Sequence, residues 1–174
     1  MEKEKIFNLL DVATKNHSIR VAELSMEIAK RMEIKDYQSI YEIAKFHDIG
    51  KLKIDSKILF KPDRLTDEEF DIIKTHPKLG VEIMSDYFDK NDLNVILYHH
   101  ENVDGSGYYQ KTVKDIPLFS KIIRIADVYD ALISSRCYKD AYSKEDALFI
   151  MNHNVGKQFD RKIFSEFLMI VLND

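Results

Sequence analysis

Apolar residues recur along this chain at the spacing of helices, not at the alternation of strands. Ile6, Leu9 and Leu10 mark a first pair of amphipathic turns, and Val21, Leu24, Ile28 and Met32 carry a second stripe from about Asn16. Ile40, Ile43, Ala44 and His47 predict a further helix ended by Gly50. The stretch Lys51 to Leu65, with Pro62, reads as loop with a short turn. Thr66-Asp67-Glu68-Glu69 is a capping-box pattern that opens a helix to about Lys74. Thr75-His76-Pro77 breaks it and starts the next, with Pro77 suited to a first helical turn. Asn91 or Asp92 is the expected cap of a helix running to His99. His100 to Asp115, punctuated by Gly105 and Gly107, is a loop. Pro117 opens a long helix to about Ser135, Ser143-Lys144-Glu145-Asp146 resembles a second capping box, and Asp160 caps a terminal helix ending near Leu172. The fold class predicted is all-α, one helical bundle, with residues 1–174 forming a single domain.

Composition narrows the function classes. The chain has 174 residues, 45% of them hydrophobic, enough for one buried core. A net charge of -4 argues against binding polymeric nucleic acid, so a small anionic ligand would need locally placed cations. The single cysteine, Cys137, excludes an internal disulfide and a Cys-rich zinc module and fits a reducing cytoplasm; with no nearby His it reads as an inert small residue. Met1-Glu2-Lys3-Glu4-Lys5 lacks the apolar run of a signal peptide. No window approaches the roughly 18 consecutive apolar residues of a membrane span. Tyr37, Tyr41 and Phe46 read as packing residues, and Phe159, Phe164, Phe167 and Leu168 as the apolar face of the last helix, turned to the core more than to a dimer partner.

The chemistry concentrates in histidine and aspartate. Of six His, five fall where helices are expected to start, end or break: His17, His47, His76, His99 and His100. Helix ends let side chains from several elements converge. Imidazole suits zinc, iron and nickel, and a carboxylate can bridge two ions. Asp127 follows the apolar stretch Ile122-Ile123-Arg124-Ile125-Ala126, and a carboxylate buried there needs a strong partner such as a metal. Taken singly, each of these residues also fits a surface or core role, so residue type alone leaves both open. His153 lies in no ligand pattern and is given no site role.

The order of the motifs adds more. His17-Ser18-Ile19-Arg20-Val21 is followed by His47-Asp48-Ile49-Gly50-Lys51, Lys74-Thr75-His76-Pro77 with Gly80, and His99-His100-Glu101. Asp104-Gly105-Ser106-Gly107-Tyr108-Tyr109 and Arg124-Ile125-Ala126-Asp127-Val128-Tyr129-Asp130-Ala131-Leu132 complete the series. This series closely resembles the HD-GYP subfamily of the HD phosphohydrolase superfamily, over roughly residues 16–164. The resemblance implies an HD-type helical bundle with a binuclear or trinuclear metal centre, often iron, that hydrolyses cyclic di-GMP to linear pGpG and sometimes on to GMP. It implies that His17, His47, Asp48 and Asp127 hold one ion and that Asp48, His76, His99 and His100 hold the other, with Asp48 bridging. Lys51 is then assigned to the scissile phosphate, and Asp130 either to the attacking water or leaving group or to orienting a ligating His. Arg136 and Lys139 resemble outer phosphate contacts, and Tyr108 with the backbone of Gly107 shapes the nucleotide side of the pocket.

Three departures from the family pattern matter. Trinuclear members carry a Glu four residues before the first His; here that position is Ala13, Thr14 is no substitute, and Asp11 points to another face. Two divalent ions are therefore expected, iron first, with Mn, Zn or Ni as alternatives. Tyr109 stands where the Gly-Tyr-Pro signature has Pro, which predicts a looser loop, and Asn102-Val103 replaces the family's frequent Arg-Trp or Lys-Tyr. The expected activity is a cytoplasmic cyclic di-GMP phosphodiesterase with no membrane insertion. A related hydrolase of a linear dinucleotide or other phosphoester, and a degenerate nucleotide-binding signalling module, are the alternatives. A homodimer or a separate sensor protein would supply regulation.

Overall fold

The computed structural model describes residues 2–134 and 141–173, so Arg136, Cys137 and Lys139 lie outside the described residues. Among those described, the chain is helical, with only an isolated bridge between Val155 and Phe159. In order the helices are α1 (Glu2–Phe7), α2 (Val12–Arg31), α3 (Ser39–Lys45), a 3-10 turn (Ile49–Lys53), α4 (Ser56–Leu59) and α5 (Asp67–Ile73). They continue with α6 (His76–Met84), α7 (Lys90–Leu97), α8 (Leu118–Ile133), α9 (Lys144–Asn152) and α10 (Arg161–Val171).

The longest helix, α2, starts earlier than its apolar stripe suggests. The Asp11 carboxylate accepts the Thr14 N–H at 2.9 Å and the Thr14 hydroxyl at 2.5 Å, capping the helix at Val12. His17 therefore lies inside α2 and not at its start. Val21, Ala22, Ser25, Ile28 and Ala29 form its buried stripe, against α3 on one side and α8 on the other. α8 is buried on most of its circumference, from Ile122 to Asp130, and is the central element. Ile28, Ile40, Phe46, Ile96, Ile122, Ile125 and Phe167 are fully buried around it. Phe159, Phe164 and Phe167 join this core, while Tyr37 and Tyr41 pack against it, as the sequence predicts.

Local rules explain the remaining differences. α7 is capped by Asp89, whose carboxylate accepts from the N–H groups of Asn91 and Asp92, the two residues expected to cap it themselves. At α5, Thr66 and Glu69 exchange both bonds of a capping box. At α9 the Ser143 hydroxyl accepts the Asp146 N–H, but the shorter Asp146 carboxylate returns to that hydroxyl and not to the backbone. The Lys51 to Leu65 stretch is partly helical, holding the end of the 3-10 turn and α4.

The 3-10 turn sets the site. α3 ends at Lys45, so His47 and Asp48 sit in the bend before Ile49. A Cβ on Gly50 would lie 1.9 Å from the His76 carbonyl oxygen and 2.5 Å from the Gly80 nitrogen. Only glycine lets the two backbones meet there, and that contact brings His76 to Asp48.

Candidate metal centre

Five imidazoles and two carboxylates come together from α2, the bend after α3, α6, the segment after α7, and α8. Asp48 lies at the middle, with its two oxygens turned to different groups. Its Oδ2 is 3.6 Å from His17 Nε2 and 3.4 Å from His47 Nε2, while its Oδ1 is 3.2 Å from His76 Nε2. His76 Nε2 lies in turn 3.3 Å from His99 Nε2 and 3.2 Å from His100 Nε2. The ligand atoms of Asp48, His76, His99 and His100 all fall within 4.8 Å of one another, and those of His17, His47 and Asp48 do the same. Asp127 stands outside these two tight groups. It meets them through His17, whose Nε2 is 3.1 Å from Asp127 Oδ1, and its other oxygen is 3.9 Å from His100 Nδ1.

The outer nitrogens explain why the inner ones point inward. Nδ1 of His47, His76 and His99 bonds the carbonyl three residues back, Ala44, Ile73 and Ile96 respectively, at 2.7, 2.7 and 2.6 Å. A carbonyl only accepts, so Nδ1 carries the proton and Nε2 presents a bare lone pair. The bare Nε2 lone pairs of His76 and His99 face each other at 3.3 Å, and that of His47 faces the Asp48 carboxylate at 3.4 Å; such pairs repel unless a cation lies between them. Two nitrogens held about 2.1 Å from one cation at right angles are about 3 Å apart, close to the spacing seen. His47 Nε2, moreover, is a buried polar atom with no hydrogen-bond partner. The donor set therefore fits divalent metal ions, and these residues are able to hold them.

Electrostatics divide the cluster in two. Burial pushes His76 down to about 4 and His100 to about 3, and drives His99 well below its usual value. These three are neutral, and His76 and His99 already present bare Nε2 atoms. His17 is opposite in behaviour: burial disfavours its charge, but Asp127, Asp130 and Asp48 outweigh burial and raise it to about 9. Asp48 and Asp127 stay ionised despite burial, Asp48 through Lys51 and Asp127 through His17.

The supporting residues were only partly foreseen. Asp130 accepts from Arg20 Nε at 2.6 Å and from Arg20 Nη2 at 2.9 Å, and lies 2.7 Å from His17 Nδ1. Of the two roles open for Asp130, this geometry favours orienting His17. Lys51 Nζ is 2.5 Å from Asp48 Oδ2. Tyr108 lies over His100, ring centroids 4.6 Å apart, with its phenol raised to about 12 by burial.

The Gly107 loop is tied, not loose. The buried Glu101 carboxylate accepts the N–H groups of Tyr109 and Lys111, both at 2.7 Å, and a Pro at 109 would lack the first bond. Gly107 itself lies so close that a Cβ would come within 2.5 Å of Glu101 Cα. Asn102, where the family pattern has a cation, accepts from Arg124 Nε and Nη2 and bonds Ser106 through its amide. Arg124 also donates to His100 Nδ1 at 3.4 Å. Arg20, Glu101 and Arg124 all stand inside the quoted motifs, but nothing in residue type marked them as supports. His153 is exposed at the C-terminal cap of α9, where its Nδ1 bonds the Phe149 carbonyl.

Comparison with known proteins identifies the family. A family model described as HD domain matches residues 3–163. The chain belongs to the HD domain family. Its ordered motifs place it in the HD-GYP branch of that family. It is 39% identical over 140 residues to a cyclic di-GMP phosphodiesterase of Vibrio cholerae, an alignment covering 75% of this chain and 28% of the relative. It is 34% identical over 165 residues to the 3′3′-cGAMP-specific phosphodiesterase 3 of the same organism, covering 92% of this chain and 36% of the relative. Among solved structures, Bd1817, an HDG"Y"P protein from Bdellovibrio bacteriovorus, superposes with a TM-score of 0.74 at 24% identity, over 91% of this chain and 52% of that one. This likeness supports the fold. The chain thus spans only about a quarter to a third of the length of these two curated relatives. Among the described residues, no helix is long and apolar enough to cross a membrane.

Proposed function

We propose that this HD domain is a metal-dependent phosphodiesterase that hydrolyses cyclic di-GMP to linear pGpG, and onward to GMP, in the cytoplasm. The observation that carries the reading is the convergence of inward-facing Nε2 atoms on Asp48, whose two oxygens serve two ligand groups. The proposal assigns one ion to His17, His47, Asp48 and Asp127 and a second to Asp48, His76, His99 and His100, iron first, with Mn, Zn or Ni able to substitute. Ions held there would supply an acidified water as nucleophile and offset charge on the phosphate.

The chain's own groups do the rest. The backbone carbonyls of Ala44, Ile73 and Ile96 hold three imidazoles in one tautomer and one rotation. Asp130, clamped by Arg20, positions His17 in the same way. Lys51 exchanges its contact with Asp48 for a non-bridging oxygen of the scissile phosphate and offsets its charge. Tyr108 covers the outer side of His100 and, its hydroxyl protonated, donates to the bound nucleotide. Arg136 and Lys139 are proposed as outer phosphate contacts. A sensor protein or a second copy of the chain would deliver regulation.

The test is product chromatography. Metal-loaded protein is given cyclic di-GMP, pGpG and bis(p-nitrophenyl) phosphate under reducing conditions. Conversion of the cyclic dinucleotide to pGpG supports the reading. Turnover of pGpG alone would make the chain a linear-dinucleotide hydrolase, and binding without turnover would make it a signalling module.

A further inference from the structure

A cleft of about 260 Å³ opens beside the metal centre and shares Lys51 with it. Its walls are mostly apolar, from Leu10 in the link between α1 and α2 to Leu52 in the 3-10 turn, Leu59 in α4 and Phe60 just after it. Phe60 is 56% exposed, an aromatic face with solvent on it at the mouth. The cleft is smaller than the roughly 300–1,000 Å³ of a pocket for a whole drug-sized ligand, so it holds a part of one. Asp11 and Lys51 are the two charged residues that line it.

We infer that this cleft receives one purine base of the nucleotide whose phosphate Lys51 binds, and that Asp11 selects guanine over adenine. The inference rests on the phosphodiesterase reading for its phosphate end. A planar base that reaches the cleft from a phosphate on Lys51 meets leucine side chains and an exposed phenyl ring, which stack on any base. Its edge meets Asp11. Guanine offers two adjacent N–H donors, a match for the two oxygens of a carboxylate, whereas adenine turns a ring-nitrogen lone pair towards it. Each Asp11 oxygen spends one lone pair on Thr14 and keeps another free. Asp11 therefore serves twice, as the cap of α2 and as the reader of a base edge.

Calorimetric titration of the metal-loaded chain with 5′-GMP, 5′-AMP and ribose 5-phosphate separates these roles. Asp11→Asn keeps the cap, because Asn caps helices as well as Asp and the Thr14 hydroxyl accepts as readily as it donates. It should weaken GMP by about tenfold or more and leave AMP and ribose 5-phosphate unchanged. Phe60→Ala, at an exposed position, should weaken GMP and AMP alike, by roughly 5- to 100-fold, and spare ribose 5-phosphate. Unchanged GMP affinity in both variants, or an equal loss for all three ligands, would overturn the inference. Unchanged affinities with a lower sedimentation coefficient for Phe60→Ala would give the cleft to a second copy of the chain and overturn it too. If the unmodified chain binds GMP through these residues yet never cleaves cyclic di-GMP, the proposed function fails and the base site stands.

Discussion

Metal loading should be coupled to one proton at one half of the centre and to none at the other. At the His76, His99 and His100 half, burial has already removed the protons: His76 titrates at about 4 and His100 at about 3. Binding there should be independent of pH above about 5.5. At the other half, His17 is held protonated to about 9 by Asp127, Asp130 and Asp48 against the opposing effect of burial. A cation must displace that proton, so affinity should rise about tenfold per pH unit below 9. At pH 7, two units below, the cost is about 2.7 kcal/mol, since one unit is about 1.36 kcal/mol. The assay is calorimetric titration of the metal-free chain with Mn²⁺ at pH 5.5, 6.0 and 6.5, in buffers of different ionisation enthalpy. This window lies below the pKa of about 7 at which a metal-bound water begins to ionise. Two events are expected: a first with no proton released, and a second releasing one. Asp130→Asn, which removes one carboxylate raising His17, should strengthen the second event at pH 6. Equal pH slopes for both events, or a second event releasing no proton, would refute the division of the cluster.

Stability of the metal-free chain should peak near pH 6.5–7 in scanning calorimetry. The raised His17 stabilises fully below its unfolded value of 6.5, and that contribution, roughly 3 kcal/mol, is lost as pH rises through about 9. The lowered His76, His99 and His100 act oppositely, since below 6.5 the unfolded chain takes up protons that they refuse; a melting temperature still rising at pH 9 would contradict the sign for His17, and one that does not fall below pH 6.5 the sign for the other three. Lys51→Ala should keep both ions and slow turnover by about 100-fold, comparable to losing one charge-stabilising donor; an unchanged rate removes Lys51 from the phosphate. Glu101→Gln places an amide N–H against a backbone N–H and should cost about 1–3 kcal/mol and raise KM, with metal content unchanged by elemental analysis. Gly50→Ala should cost about 1–3 kcal/mol or more and lower metal content, because its Cβ has no room against the His76 carbonyl.

The helical class and the caps Thr66, Ser143 and Asp160 were legible because they depend on local chemistry and on apolar stripes at helical spacing. Three caps escaped, Asp11, Asp55 and Asp89. Asp11 and Asp89 lie outside the apolar stripes that marked the helices, so α2 and α7 were started late. The metal-ligating candidates were legible from the order of motifs, which no single His could provide. What lay beyond reach was orientation. That Nδ1 of three histidines would bond the carbonyl three residues back depends on how each helix ends, not on residue type. The Tyr at 109 suggested a looser loop because Pro restricts φ, but its N–H gains a bond to Glu101 that Pro cannot make.

The most direct measurement is the metal stoichiometry of the chain, reconstituted anaerobically with Fe²⁺ and freed of excess, beside its hydrolysis of cyclic di-GMP. The account predicts two ions per chain and conversion to pGpG, with both lost in Asp48→Ala and His47→Ala. A full complement of metal and full activity in those two variants would contradict it.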